Sequence, residues 1–141
     1  NKNEKSKPIA LEKGFNIWLG GIKFFGRIDR IDELPDGGVE IVDYKTGQPK
    51  DQKYVDKDDQ VTFYAIGAQE ALGYKPKQMS LYFVETGEKV VTTRTDEQLE
   101  EAKKDVSKIV TEMKKGDFEA TPGMQCNWCA YREICPRAYK K

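Results

Sequence analysis

Residues 26–45 read GRIDRIDELPDGGVEIVDYK, and this stretch decides the fold. The Pro-Asp-Gly-Gly run at 35–38 is a strong turn signal, and the apolar-rich segments 22–34 and 39–45 on either side of it predict two paired strands. The segment 9–19 is followed by a Gly-Gly pair that allows a tight reversal of the chain. Together the three segments predict an antiparallel meander.

The region after the meander predicts a loop over 46–57 and then a helix over 58–72, with Gly73 as the helix stop. The apolar residues of this helix recur at helical spacing, which places them on one face: Val61, Ala65, Ala68 and Leu72. We expect that face to pack on the sheet.

The remainder of the core predicts two more strands, 79–84 and 89–94, and a second helix that ends at Gly116. Thr95 and Gln98 form a capping box at the start of that helix. Its predicted apolar stripe consists of Leu99, Ala102, Val106, Ile109 and Met113. One mixed sheet covered by helices, an α/β fold, is the natural solution for this order of elements.

Composition excludes several classes of enzyme. The chain has 141 residues, the length of one domain, with 24 Lys+Arg against 24 Asp+Glu and no histidine. Ser-His-Asp triads, Cys-His dyads and HExxH zinc sites cannot be built without histidine, so hydrolytic chemistry must use carboxylates, lysine, tyrosine or a bound metal. No apolar run approaches the ~18 residues of a membrane span, and we expect no secretory signal, because no basic segment followed by an apolar stretch opens the sequence.

The predicted hairpin brings two carboxylates and a lysine together. Asp43 and Lys45 lie two apart on one strand, so their side chains leave the same face. The turn places Asp29 opposite Asp43 or Tyr44, and directly opposed residues have Cβ atoms only ~5 Å apart. Two carboxylates this close repel unless a cation lies between them. The pattern therefore predicts a Mg²⁺ or Mn²⁺ site with Lys45 beside it.

A solvated ion pair is the simpler interpretation of Asp43 and Lys45, because a D-x-K triplet alone is a weak signal. An aspartate in mid-strand is uncommon, however, since strands disfavour Asp. With Asp29 opposite, we favour the metal site. Asp32 is expected to point to the opposite face of the strand from Asp29, as a surface or salt-bridge residue. We do not assign Glu12 as a metal ligand.

The Gly-x-x-Asp element that ends at Asp29 and the Asp-x-Lys element at 43–45 resemble the PD-(D/E)XK nuclease superfamily, specifically its RecB-like branch. That branch includes AddB-like nuclease domains and CRISPR-adaptation nucleases. The resemblance implies a restriction-endonuclease-like mixed β-sheet flanked by helices, without the N-terminal helix of the full domain. It also implies that Asp29, Asp43 and the backbone carbonyl of Tyr44 bind the catalytic metal, while Lys45 activates water or stabilises charge during phosphodiester hydrolysis.

Gln60 and Tyr64 lie four residues apart, hence on one helical face. Spacing alone favours a core tyrosine and an exposed glutamine. RecB-like nucleases carry a Q-x-x-x-Y motif at this place, which implies that Gln60 and Tyr64 contact substrate or shape the metal pocket.

The loop before this helix contains three lysines interspersed with aspartates. The mixed charges favour a solvated loop over a segment that binds phosphates: Lys50, Lys53 and Lys57.

Three cysteines lie in a tail that is expected to be irregular: Cys126, Cys129 and Cys135. Their spacing is typical of metal sites, although three thiolates complete neither a tetrahedral zinc nor a four-cysteine cluster. Three small buried thiols are the alternative. The family resemblance implies a 4Fe-4S cluster in a full-length parent, with a fourth cysteine far upstream and an incomplete or absent cluster in this chain.

The sequence thus predicts an N-terminally truncated nuclease core over 1–117 and a cysteine tail over 118–141. We expect a Mg²⁺- or Mn²⁺-dependent deoxyribonuclease of exonuclease type, part of a cytoplasmic helicase-nuclease in DNA end processing, recombination or repair. Its expected partners are DNA, as single strands or duplex ends, and a helicase domain or subunit, with no membrane. The alternatives are an inactive nuclease-like DNA-binding or structural module and a zinc-stabilised interaction domain.

Overall fold

The computed structural model describes residues 7–116 and 118–138, and these contain a five-stranded mixed sheet. Its strands lie side by side in chain order: β1 (Lys7–Leu19), β2 (Ile22–Glu33), β3 (Val39–Lys45), β4 (Pro76–Phe83) and β5 (Glu88–Thr92). The first three pair antiparallel, which confirms the predicted meander. β3 and β4 pair parallel, and β5 pairs antiparallel with β4.

The parallel pair requires a crossover connection, and two helices supply it: α1 (Gln52–Val55) and α2 (Asp59–Glu70). The third helix, α3 (Asp96–Lys115), follows β5, and a 3-10 helix spans Met124–Trp128 in the tail. The loop predicted over 46–57 is wrong in part, because α1 lies inside it. The Asp51 side chain accepts a hydrogen bond from the Tyr54 amide at 2.8 Å, and Val55 at the end of α1 is fully buried.

Both long helices begin at capping residues that the sequence makes visible. The Asp58 side chain accepts a hydrogen bond from the Val61 amide at 3.1 Å and opens α2. At the start of α3, the Thr95 amide donates to Gln98 Oε1 at 2.8 Å, and the Gln98 amide donates to Thr95 Oγ1 at 3.2 Å. The predicted capping box is therefore confirmed.

The packing face of α2 is the predicted one, whereas the α3 face differs in its last turns. Val61, Ala65 and Ala68 are fully buried on α2, whereas Leu72 lies just beyond the end of the helix, which is two residues shorter there than predicted, and is partly buried against the core. On α3, Leu99 is buried as expected, but Ile109 and Met113 are exposed and Val110 is buried instead. Val110 packs against the turn at Gly20, where an added Cβ would lie 3.0 Å from the Val110 Cβ.

The chain divides into two compact units, residues 1–110 and residues 111–141. The predicted division into a nuclease core over 1–117 and a cysteine tail over 118–141 concerns function and stays a prediction. Within the described residues, no helix combines the length and the apolar character needed to cross a bilayer.

Phe15 links the packing of the sheet to that of α2. Its ring is buried against Gly26 on β2 and Gly67 on α2, and a Cβ built on either glycine would overlap it. The close approach of the ring therefore accounts for the absence of a side chain at both positions. The same ring meets the Tyr64 ring edge to face, with centroids 6.2 Å apart. Phe15 thus connects the core to a residue of the predicted site.

We expect Gly67→Ala to destabilise the protein by about 1–2 kcal/mol, because overpacking against Phe15 outweighs the helix propensity that alanine gains over glycine. In a Phe15→Leu background the same substitution should cost less or become stabilising, since the ring no longer fills the space. Chemical denaturation of the four proteins measures both steps. Equal destabilisation in the two backgrounds would contradict this packing.

Candidate active site

The hairpin of β2 and β3 has the register that the sequence predicts. Its paired ladder ends at Arg30 opposite Val42, so Asp29 and Asp43 are the next residues along the two strands. The Tyr44 amide donates a hydrogen bond to Asp29 Oδ2 at 2.9 Å. The two acids lie at the same end of the hairpin, and the pKa of Asp43, which burial raises, is raised further by the charge of Asp29.

Asp43 is 3% exposed, and its partner Lys45 lies two residues further along β3. The Lys45 Nζ is 2.7 Å from Asp43 Oδ2, yet Oδ2 has no hydrogen-bond partner. Lys45 is therefore an ion-pair partner of Asp43, and no other donor among the described residues satisfies Oδ2. Burial raises the pKa of Asp43; Lys45 opposes this, while Asp29 and Asp58 add to it.

Two other acids are buried in the described residues, and comparison with them shows what is unusual about Asp43. Glu40 accepts a hydrogen bond from Ser80 and pairs with Lys89 at 2.5 Å. Asp32 accepts two hydrogen bonds from Arg30, at 2.6 and 2.7 Å. The oxygens that make these bonds are satisfied by neighbouring side chains. Among the described residues, Asp43 Oδ2 is the buried side-chain polar atom that lacks a hydrogen bond.

The expectation for Asp32 is half right. Its salt bridge is confirmed, but the surface position is wrong, because Asp32 is 2% exposed. Asp32 lies opposite Glu40 inside the ladder of β2 and β3. Arg30 covers it with an aligned pair of hydrogen bonds, and these raise the pKa of the Arg30 guanidinium.

Lys45, Gln60 and Tyr64 form a chain of hydrogen bonds that joins β3 to α2. The Lys45 Nζ donates to Gln60 Oε1 at 2.5 Å, and Gln60 Nε2 donates to the Tyr64 hydroxyl at 2.9 Å. Burial raises the pKa of Tyr64, and the charges of Asp43 and Asp29 contribute to the rise. Asp29 and Asp43 are therefore close enough to α2 for their charges to act on the Tyr64 hydroxyl. The structure brings all five predicted side chains of the site together.

The pKa of Lys45 is raised above its ordinary value. Burial alone would lower it, but contact with Asp43 and the charges of Asp43, Asp58 and Tyr64 outweigh burial. Lys45 is consequently an ammonium ion throughout the neutral range. An ammonium ion can stabilise negative charge, whereas it cannot accept a proton.

The other residues considered from sequence lie outside this cluster. Glu12 has a backbone φ of +44° and pairs with Arg27 at 3.6 Å, with both side chains mostly exposed. Cys126 and Cys135 are half-buried and Cys129 is exposed, so the alternative of three buried thiols is wrong. Across residues 7–116 and 118–138, no group of three or more His, Cys, Asp and Glu side chains could hold a metal.

Two residues outside the predicted set bear on this region, Asp58 through its charge and Arg94 through contacts with the helices beside the site. Asp58 caps α2, and its charge acts on both Asp43 and Lys45. Arg94 donates to the carbonyl oxygens of Val55 and Asp58, each at 3.2 Å, and so joins α1 to the start of α2. Asp58 was recognisable as a cap from its position before the helix, whereas Arg94 reaches these carbonyls from after β5 and leaves no local signal.

The fold is similar to that of a solved protein. Compared with the crystal structure of SSO0001, the chain has a TM-score of 0.55 at 14% identity, over 93% of this chain and 61% of that one. At this identity the likeness concerns the fold alone. The five-stranded mixed sheet with flanking helices is a restriction-endonuclease-like α/β fold, as the sequence predicts.

The chain belongs to the PD-(D/E)XK nuclease superfamily, whose family profile matches residues 1–136. A shorter stretch is similar to one subunit of the ATP-dependent helicase/deoxyribonuclease of Streptococcus pyogenes. For serotypes M12 and M28 it is 49% identical over 45 residues, which is 31% of this chain and 4% of each relative. For serotype M18 the identity is 47% over the same length. The matched stretch is thus a small part of those proteins.

The raised pKa of Asp43 predicts a pH-dependent stability. A carboxyl whose folded-state pKa lies above its unfolded value costs stability when it ionises. That cost is absent well below the ordinary pKa of 3.8 and grows as the pH rises through the folded pKa. We therefore expect Asp43→Asn to raise the melting temperature of the metal-free protein at pH 7, and the gain to shrink as the pH falls toward ~4.

Thermal unfolding in EDTA, followed by circular dichroism at several pH values, measures this difference. Asp105→Asn, on the exposed side of α3, controls for the loss of one negative charge. A variant of Asp43 that is less stable than the wild type at pH 7 would show that the attraction to Lys45 outweighs the cost of burial.

Proposed function

We propose that this chain is a metal-dependent DNA nuclease domain that hydrolyses phosphodiester bonds. Membership of the nuclease superfamily supports the hydrolytic class and DNA as the substrate. The observation that carries the finer assignment is the buried Asp43 oxygen without a hydrogen bond, next to Asp29 and Lys45. A buried polar atom of this kind calls for an explanation, and a bound cation is one that also accounts for the two neighbouring carboxylates.

The donor set fits a hard divalent cation. Asp29, Asp43 and the backbone carbonyl of Tyr44 supply oxygen ligands, the type that Mg²⁺ and Mn²⁺ prefer. Few protein ligands suffice, because Mg²⁺ usually keeps several waters and binds through one or two carboxylates together with substrate phosphate. When bound, such an ion lowers the pKa of a coordinated water and polarises a phosphoryl oxygen.

The remaining residues of the cluster have separate roles in this proposal. The Lys45 ammonium, held by Asp43 and Gln60, stabilises the negative charge that builds up on the phosphate during hydrolysis. Gln60 fixes the position of Lys45, and Tyr64 fixes Gln60 in turn. Because Phe15 supports the Tyr64 ring, the hydrogen-bonded chain begins at the packed core.

The similarity to a helicase/deoxyribonuclease subunit supports a place in a helicase-nuclease. We propose that the chain works with a helicase domain or subunit on DNA ends in recombination or repair, in the cytoplasm, as an exonuclease. We also propose that Cys126, Cys129 and Cys135 supply three ligands of a 4Fe-4S cluster in a longer parent protein, with the fourth ligand from outside this chain. Iron and sulfide analysis of the anaerobically purified parent, set against its zinc content, tests the cluster.

The wild-type chain should cut labelled single-stranded or duplex-ended DNA when Mn²⁺ or Mg²⁺ is present and should not cut it in EDTA. Asp43→Ala should lower the rate at least about 100-fold, because metal catalysis supplies several kcal/mol and each 1.36 kcal/mol is a factor of ten. Gel analysis of the products measures the rate, and product lengths over time report the exonuclease type.

Asp105→Ala is the matched control, since it removes an exposed carboxylate that pairs with Lys108 on α3. Full activity of Asp43→Ala would refute the catalytic assignment. A wild-type chain that binds DNA without cutting it, and without dependence on divalent ions, would favour the alternative of a non-catalytic DNA-binding or structural module.

A further inference from the structure

A cavity of about 180 Å³ lies beside the candidate active site and shares Lys45 and Gln60 with it. Its other walls come from the segment after β3, from α1 and from β4. Building on the proposed nuclease function, we propose that this cavity is a nucleotide subsite. In it, Tyr54 stacks on the base next to the scissile phosphate, and Lys50 pairs with a neighbouring phosphate of the same strand.

The location of the cavity follows from the shared residues. Lys45 belongs both to the candidate active site and to the wall of the cavity. If a phosphate of the substrate lies at Asp29, Asp43 and Lys45, the nucleotide next to that phosphate lies at the entrance of the cavity. Its volume is below the ~300–1,000 Å³ of clefts that take drug-sized ligands. A space of this size accommodates one nucleobase more readily than a base pair. The occupant is therefore a nucleotide whose base is free of a complementary strand.

The lining suits a base. Leu81 and Phe83 of β4 are buried and give the cavity an apolar floor. Tyr54 is 53% exposed at its rim, so much of the ring is open to a ligand. Aromatic rings stack on all four bases, because every base has a π-face, and such platforms are common in proteins that bind single strands.

The charges of the rim set the orientation of the nucleotide. Lys50 is exposed, with its Nζ 5.4 Å from the centre of the Tyr54 ring. This contact between solvated groups is weak and exchanges readily when a phosphate arrives. Asp58 lines the same cavity and repels phosphate. The neutral base therefore lies beside Asp58, and the phosphate lies toward Lys50.

Tyr54 is exposed although α1 is firmly attached. Val55 is fully buried in the core, and Gln52 Nε2 donates to the Val91 carbonyl on β5 at 2.7 Å. Asp51 caps the helix through the Tyr54 amide. Each of these contacts holds α1 without the Tyr54 ring. The ring is thus presented on a rigid support, which lowers the entropic cost of binding a ligand.

The first test measures binding of a fluorescent single-stranded 12-mer by anisotropy, with Ca²⁺ in place of Mg²⁺ or Mn²⁺. Tyr54→Ala should weaken binding roughly 5- to 150-fold, the effect of losing one stacked base. Tyr54→Phe should bind within about twofold of the wild type, since it keeps the ring. Phe25→Ala, which removes an exposed aromatic ring at 87% exposure from β2, should not change binding.

The second test places a single abasic residue at successive positions of the same oligonucleotide. Wild-type affinity should fall at one position, and Tyr54→Ala should be insensitive there, because the two changes remove the same contact. A plot of log K against log salt concentration has a negative slope, and Lys50→Ala should make that slope less steep by about 0.7, the value for one phosphate contact on a single strand.

Equal affinity of Tyr54→Ala and wild type, or a Tyr54→Phe variant as weak as Tyr54→Ala, would overturn the subsite. Failure of the wild type to bind the oligonucleotide would overturn it as well. These arms need no cleavage, so they separate the subsite from the proposed nuclease function. If the wild type cuts DNA and Tyr54→Ala binds normally, the subsite is wrong and the nuclease assignment stands. If binding depends on Tyr54 and no DNA is cut, the subsite stands and the catalytic assignment fails.

Discussion

Burying the Asp43 carboxylate at the end of β3 removes a charge from water, and contacts with neighbouring side chains compensate for it only in part. Lys45 supplies an opposite charge at 2.7 Å, and Asp29 adds a second negative charge nearby. The result is a group whose neutral form is favoured more than usual. A divalent cation reverses that preference, because it attracts both carboxylates at once. The cost of burying Asp43 is thus the physical reason to expect metal affinity.

Core packing fixes the position of this charged group. The Phe15 ring lies against Gly26, which belongs to the same Gly-x-x-Asp element as Asp29, and against Gly67 on α2. From Phe15 the contacts continue to Tyr64 and Gln60 and end at the Lys45 ammonium. A change in the packing between sheet and helix therefore alters the site through contacts rather than through charge. Arg94 also fixes the position of structural elements, because it joins α1 to the start of α2 by donating hydrogen bonds to two backbone carbonyls.

Local patterns predict those parts of the structure that depend on neighbours in sequence. The turn at 35–38 sets the register that places Asp29 and Asp43 at the same end of the hairpin, and helical spacing places Gln60 above Tyr64. Several features missed from sequence depend on residues far apart along the chain. Arg94, for example, donates to the carbonyl oxygens of Val55 and Asp58, which lie 39 and 36 positions earlier.

The other differences have the same origin. Residues 52–55 form α1 because Val55 enters the core and Asp51 caps the turn, although the segment contains many charged residues. On α3, Val110 replaces Ile109 on the buried face because the turn at Gly20 leaves space there. Gly67 inside α2 is a local anomaly that the sequence displays, but its cause, the Phe15 ring, lies 52 positions earlier.

The central claim is that Asp29 and Asp43 together hold one divalent cation. A crystal structure of the chain soaked in Mn²⁺, with data collected at the manganese absorption edge, tests it directly. We expect an anomalous peak within ligand distance of both carboxylates and the Tyr44 carbonyl, and no such peak in crystals of Asp43→Asn. Crystals of the wild type with no peak between the two carboxylates, or with an ion bound to one of them alone, would contradict the account.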